Sequence, residues 1–152
     1  MPSKKMKEFL DNQSVKYTTI SHSTAYTAQE IAQSAHIHGK EIAKTVMVFV
    51  EGRMAMAVLP ATYAVDFDYF RKEIGAKKIE LASEEQFKDM FPDCETGAMP
   101  PFGNLYGMDV YVDRHLTADE EIAFNAGSLS ELVRMSYKDF ERLVKPKVVK
   151  LT

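Results

Sequence analysis

The sequence predicts a single α+β domain with a mixed or mainly antiparallel sheet, and three observations carry that prediction. Two apolar, β-branched runs, Lys44–Val50 and Arg53–Leu59, flank Glu51-Gly52, the spacing of a two-residue hairpin turn. Helix-capping patterns alternate with further strand-like runs along the chain, so the two element types are intermixed. The 152 residues are 45% apolar and hold no linker, repeat or low-complexity tract, which fits one core and leaves little for a second domain.

Taken in order, Ser3–Leu10 reads as a short helix with Met6, Phe9 and Leu10 on one side, and Val15–Ile20 as a strand. Thr27 and Glu30 form a capping box for a helix that turns Ile31, Ala32 and Ala35 inward. In the hairpin, Val46, Val48 and Val50 alternate with Thr45, Met47 and Phe49. Both sets are mainly apolar, which places the pair near the centre of a sheet. Asp66–Ile74 reads as a helix stopped by Gly75, followed by a strand over Lys78–Leu81. Ser83 and Gln86 cap a helix whose inner side is Phe87, Met90 and Phe91 and which ends before Pro92. Leu105–Val112, Glu121–Asn125 and Leu132–Met135 read as strands. Ser136 with Asp139 opens a closing helix through Leu143, stopped by Pro146.

Composition narrows the partners. A formal charge of −3 gives no basic footprint able to hold a nucleic acid unaided, so DNA is not expected as a partner and an RNA substrate requires local contacts or a helper protein. No apolar run approaches the length of a membrane span and the Lys-rich N-terminus lacks a signal-peptide core. Cys94 is the single cysteine, which precludes an intrachain disulfide and suits a reducing cytoplasm. Nine methionines read as adaptable core packing.

Metal and nucleophile chemistry find weak support. His22, His36, His38, His115 and Cys94 lack ligand spacing, and no CxxC, HExxH or Gly-x-Ser-x-Gly pattern occurs. Asp93 and Glu95 disfavour a thiolate at Cys94 by like-charge repulsion.

Three groups remain. Gly97-Ala98-Met99-Pro100-Pro101-Phe102-Gly103 sets two prolines and an aromatic between glycines, a stiff segment with bare backbone that, taken alone, reads as a turn between strands. Lys44-Thr45 stands where a polar approach becomes an apolar strand. There an ammonium reaches a pocket mouth or simply snorkels into water. Phe124-Asn125-Ala126-Gly127-Ser128 follows a strand with small residues and an amide, which also satisfies an ordinary turn.

In their order, and with Ser23-Thr24-Ala25-Tyr26-Thr27, Glu30, Ala32 and Asp113, these groups resemble the YbaK/ProX superfamily. That superfamily comprises aminoacyl-tRNA deacylases related to the editing domain of bacterial prolyl-tRNA synthetases. The resemblance spans nearly the whole chain, residues 1–152, and implies a curved, barrel-like mixed sheet with packed helices. It also implies hydrolysis of mischarged aminoacyl-tRNA in trans, without metal or other cofactor, in the cytoplasm, with prolyl-tRNA synthetase or another synthetase as an added partner. Lys44 and Gly97 match the residues that carry the reaction. Tyr26, Thr45, Ala98, Met99, Pro101, Phe102, Gly103, Asn125, Ala126 and Gly127 match the substrate-binding positions. A lysine is protonated near neutrality, so Lys44 is assigned to phosphate or oxyanion binding rather than to general-base work. Met99 and Pro100 depart from the smaller or hydroxyl-bearing residues of alanyl-type members. The segment after Gly127 lacks the charged residues of cysteinyl-type members, and a small amino acid such as alanine or cysteine is the expected cargo. A noncatalytic aminoacyl-tRNA or synthetase-binding module of the same fold is the alternative.

Overall fold

The computed structural model describes residues 4–21, 42–95, 97–128 and 130–152. The expected cap at Thr27 and Glu30, its helix, and Tyr26 lie outside the described residues. Helix α1 is Lys4–Asn12, and strand β1 is Tyr17–Ser21. The predicted hairpin is present as β2, Ile42–Val50, and β3, Arg53–Pro60, paired antiparallel from Ala43↔Pro60 to Val50↔Arg53. Its turn places Glu51 at φ 50° and Gly52 at φ 81°, a left-handed pair that a glycine makes inexpensive.

Helix α2, Phe67–Ile74, begins where the Asp66 carboxylate accepts the N–H groups of Asp68 and Tyr69, both at 3.1 Å. It ends at Gly75 with φ 68°. The next elements are β4, Ile79–Leu81, and the single turn α3, Glu84–Phe87, where the Ser83 N–H donates to Gln86 Oε1 at 2.7 Å. The sequence expectation of one helix through Phe91 is corrected here. From Lys88 to Met90 the chain tightens to three residues per turn, which rotates Met90 to 41% exposure while Phe87 and Phe91 stay buried.

The expected strand Leu105–Val112 is also corrected. Gly103–Tyr106 is a 3₁₀ turn closed by Gly107 at φ 70°, and strand β5 is Asp109–Asp113. A Cβ on Gly103 would stand 2.7 Å from Val110 Cγ2 and 2.9 Å from the Met108 carbonyl, so the turn exists because position 103 has no side chain. Strands β6, Glu121–Asn125, and β7, Glu131–Ser136, lead to α4, Tyr137–Val144, capped by Ser136 as expected. Beyond Pro146 lies β8, Lys147–Val149, which is three residues long and too short to show a period.

The strands form one mixed sheet in the order β1-β7-β6-β2-β3-β5-β8, with β4 also on β2. The fold is the single-domain α+β class expected, with a curved sheet that is not strictly closed. One face carries the larger core, in which α1 and α4 pack through Met6, Leu10 and Phe140 against Met47, Met56, Val112, Phe124 and Met135. On the other face α2 lays Phe70 against Val48, Ala57, Leu59 and Tyr111. Six of the nine methionines are buried, in keeping with the packing role expected of them.

Candidate active site

The site is built by register. Strand β2 pairs parallel with β6 through Ile42↔Ala123 and Ala43↔Phe124, so Lys44 and Asn125 are the next residues beyond that ladder. Matched residues of a parallel ladder share a face, which puts both on the side opposite Ala43 and Met47, about 5 Å apart along the hydrogen-bonding direction. On its other flank Lys44 is opposite Leu59 of β3, a residue with no exposed surface. Lys44 is half-buried and makes no ion pair with any described carboxylate, so its ammonium is available to an anion.

Two backbone hydrogen bonds bring in the glycine-proline loop. The Gly127 N–H donates to the Ala98 carbonyl at 2.8 Å, and the Glu95 N–H donates to the Gly127 carbonyl, also at 2.8 Å. Gly127 sits at φ 89°, a left-handed geometry that aims its N–H and C=O at the loop. The loop is internally braced by Ala98 N–H to Glu95 O at 3.0 Å and Phe102 N–H to Pro100 O at 2.8 Å.

Within this loop the predicted residues divide into two kinds. Gly97 is exposed, at φ 89°, and a Cβ there would meet nothing within 4 Å, so its requirement is conformational. Ala98 through Gly103 are all buried. Phe102 is a core residue whose ring meets Phe9, Phe124 and Phe140 edge-on at centroid distances of 6.3, 5.6 and 5.7 Å. Met99 belongs to the same core cluster, as does Ala126. Neither Gly97 nor Met99 donates a backbone hydrogen bond to the described residues.

Register thus sets Lys44 beside Asn125 on one face of the sheet, whereas Met99, Phe102 and Ala126 pack with Ala43, Met47 and Phe124 on the other, and Gly127 ties the loop to the end of β6. Among the described residues no three His, Cys, Asp or Glu side chains gather as metal ligands. Cys94 Sγ lies 3.5 Å from Asp93 Oδ1 and 3.9 Å from the Tyr106 hydroxyl, packed beside the core.

Asp113 enters the sequence reading only as part of the family resemblance, and the structure gives it more to do. Its side chain is fully buried. Oδ1 accepts the Leu151 N–H at 2.9 Å, and Oδ2 accepts the His115 N–H at 3.3 Å and lies 2.7 Å from His115 Nδ1. The only sequence signal for this clasp is the Asp-x-His spacing.

Residues 22–143 match the model of the aminoacyl-tRNA editing domain, and the chain belongs to that family, the YbaK/ProX group. It is similar to the prolyl-tRNA editing protein ProX of Acetoanaerobium sticklandii, with 28% identity over 142 residues covering 90% of this chain and 86% of that protein. It is also similar to the multifunctional Ser/Thr-tRNA deacylase ProXp-y of Escherichia coli, with 26% identity over 145 residues covering 92% and 86%. In fold it matches the crystal structure of a proposed trans-editing enzyme for prolyl tRNA synthetase, with a TM-score of 0.83 at 19% identity over 97% of this chain and 94% of that one.

Proposed function

We propose that this protein is a trans-editing aminoacyl-tRNA deacylase acting in the cytoplasm. It hydrolyses the ester of a small amino acid, such as alanine or cysteine, mischarged on tRNA(Pro) or a related tRNA. The observation that supports it most is the register that sets Lys44 beside Asn125 at the end of the β2–β6 ladder, with the Gly97 loop hydrogen-bonded to Gly127 two residues further on.

An aminoacyl ester is already activated, so positioning can supply most of the catalysis. Water adds to the ester carbonyl, the carbonyl oxygen takes the developing negative charge, and the tetrahedral species collapses by expelling the ribose hydroxyl. Lys44 acts as a fixed cation toward the terminal phosphate or that oxyanion. Main-chain groups at Gly97 and Ala98 orient the amino acid and the water. Met99, Pro101, Phe102 and Gly103 hold the loop in place, Asn125 stands beside Lys44, and Thr45, Ala126 and Gly127 are carried over as substrate-binding positions from the family resemblance. Tyr26 is carried over as a substrate-binding position from the family resemblance.

The test is a panel of mischarged tRNAs presented to the wild type and to Lys44→Ala, with and without prolyl-tRNA synthetase. The expected result is hydrolysis of at least one small-amino-acid member by the wild type and its loss in the variant. Hydrolysis of none refutes the reading and favours the noncatalytic binding module, and equal hydrolysis by both removes Lys44 from the machinery.

A further inference from the structure

We propose that Tyr63 and His115 form a stacking platform for the unpaired terminal adenosine of tRNA, an inference that rests on the deacylase reading above for the identity of its ligand. The platform lies on the same row of the sheet as Lys44. Lys44 is paired with Leu59, and β3 is paired in parallel with β5 up to Val58↔Val112, so Leu59 and Asp113 are the next matched residues. Asp113 therefore shares the face of Lys44 two strands away, about 10 Å across the sheet. Tyr63 reaches the same rim from the turn after β3, whose Ala61 N–H donates to the Ile42 carbonyl at 2.7 Å, two residues before Lys44.

The ring of His115 is held where a base could use it. Asp113 is fully buried and takes Nδ1 at 2.7 Å, which fixes the plane of the imidazole. The Tyr63 ring meets it edge-on, with centroids 5.4 Å apart and planes at 84°, so each ring keeps a face free of the other. The His115 side chain nonetheless remains 44% exposed. Thr152 Oγ1 also approaches Nδ1, at 3.4 Å, and Nε2 has no partner among the described residues. This is not a nucleophile relay, because hydroxyl and carboxylate meet the same ring nitrogen.

The ring is also more than a brace. The clasp on the C-terminal segment uses Asp113 Oδ1 with the Leu151 N–H, and the turn after β5 uses the backbone N–H of His115. Both survive without the imidazole. Stacking suits this chain for a second reason. With a net charge of −3 it cannot hold RNA by phosphate contacts alone, whereas a base on aromatic faces contributes affinity without positive charge. An open Nε2 beside the stack is an acceptor for the exocyclic amine of adenine when Nδ1 carries the proton.

The test uses uncharged tRNA with 2-aminopurine as its 3′-terminal base, the same tRNA lacking that nucleotide, and the mischarged tRNA that the wild type hydrolyses. Binding to the wild type is expected to change the probe fluorescence. His115→Ala and Tyr63→Leu should each weaken binding about 5- to 100-fold, while His115→Phe retains most of it. The tRNA lacking the terminal nucleotide should bind wild type and variants alike. In deacylation the same two variants should raise KM by a similar factor with kcat changed little. Wild-type KM and affinity in both variants would overturn the platform and leave the deacylase standing. Wild-type protein that binds the probe with a fluorescence change but hydrolyses no tRNA would overturn the deacylase and leave the platform. Equal weakening toward the truncated tRNA would overturn the platform by showing that the substitutions act on the fold rather than on the terminal base.

Discussion

The two ends of strand β2 are built by opposite rules. At the hairpin end, Glu51 and Gly52 turn the chain through their own left-handed geometry, and the Glu51 carboxylate accepts the N–H groups of Lys77 and Lys78. The turn itself follows from local chemistry, and β4 then docks on this end of β2 through Val50↔Ile79 and the Glu51 N–H to Lys78 carbonyl bond at 2.9 Å. At the entry end, Lys44 acquires its setting from Leu59 on one flank, Asn125 on the other, and a loop hydrogen-bonded to Gly127. Local chemistry makes the turn, and long-range register makes the site.

The sharpest way to break that contrast is at Lys44. Lys44→Ala is expected to lower kcat/KM for the hydrolysed tRNA by about 100-fold or more with little change in melting temperature, as removal of a fixed charge from a developing oxyanion does. Substitution in the hairpin turn should leave kcat/KM unchanged. Next in size is Gly103→Ala. Its Cβ would collide with Val110 and with the Met108 backbone, so thermal unfolding should show a loss of roughly 1–3 kcal/mol.

A finer comparison sets Gly97→Ala against Gly52→Ala. Both glycines have φ above 80° and open space where a Cβ would go, so each substitution should destabilise by about 1–2 kcal/mol in denaturant titrations. Only Gly97→Ala should also lower deacylation, by roughly tenfold if main-chain positioning there contributes about 1.4 kcal/mol. Equal activity in the two variants would remove Gly97 from the machinery.

The smallest effect is expected at Glu51. Its carboxyl is held below the usual carboxylate range, first by the Lys77 N–H and then by the Lys78 N–H. A group with a depressed folded-state pKa stabilises the fold above its unfolded value, and that stabilisation is lost as pH falls through the folded value. The melting-temperature gap between wild type and Glu51→Gln should therefore be present at neutral pH and close on acidification below the ordinary glutamate range. A gap that persists unchanged at low pH would trace to the turn rather than to the charge.

Much of this was legible from residue order. The hairpin, the Ser136 cap, the Gly75 stop and the central place of β2 follow from periodicity and capping chemistry, because each is decided by residues within a few positions of one another. The three segments of the candidate site were legible only as a set, through family likeness. Their meeting depends on the β2–β6 register and on the Gly127 hydrogen bonds, neither of which any local pattern announces. Met90 turned outward because three residues per turn replaced 3.6. Residues 105–108 were mistaken for strand because Leu105 and Tyr106 resemble one, while the deciding contacts, Met108 and Val110 against the missing Cβ of Gly103, are tertiary. The Asp113 clasp reaches Leu151, a partner 38 positions away that no spacing rule could supply.

The parallel pairing of Ala43 with Phe124 has a kinetic consequence. About 80 residues separate the two, and the intervening chain must close before Lys44 gains Asn125 as a neighbour. The adjacent hairpin needs only a two-residue loop. During folding, β2 and β3 are expected to pair well before β6 arrives. A refolding intermediate with a protected hairpin and no deacylase activity is therefore the natural precursor of the finished enzyme, and activity should return later than amide protection in β2.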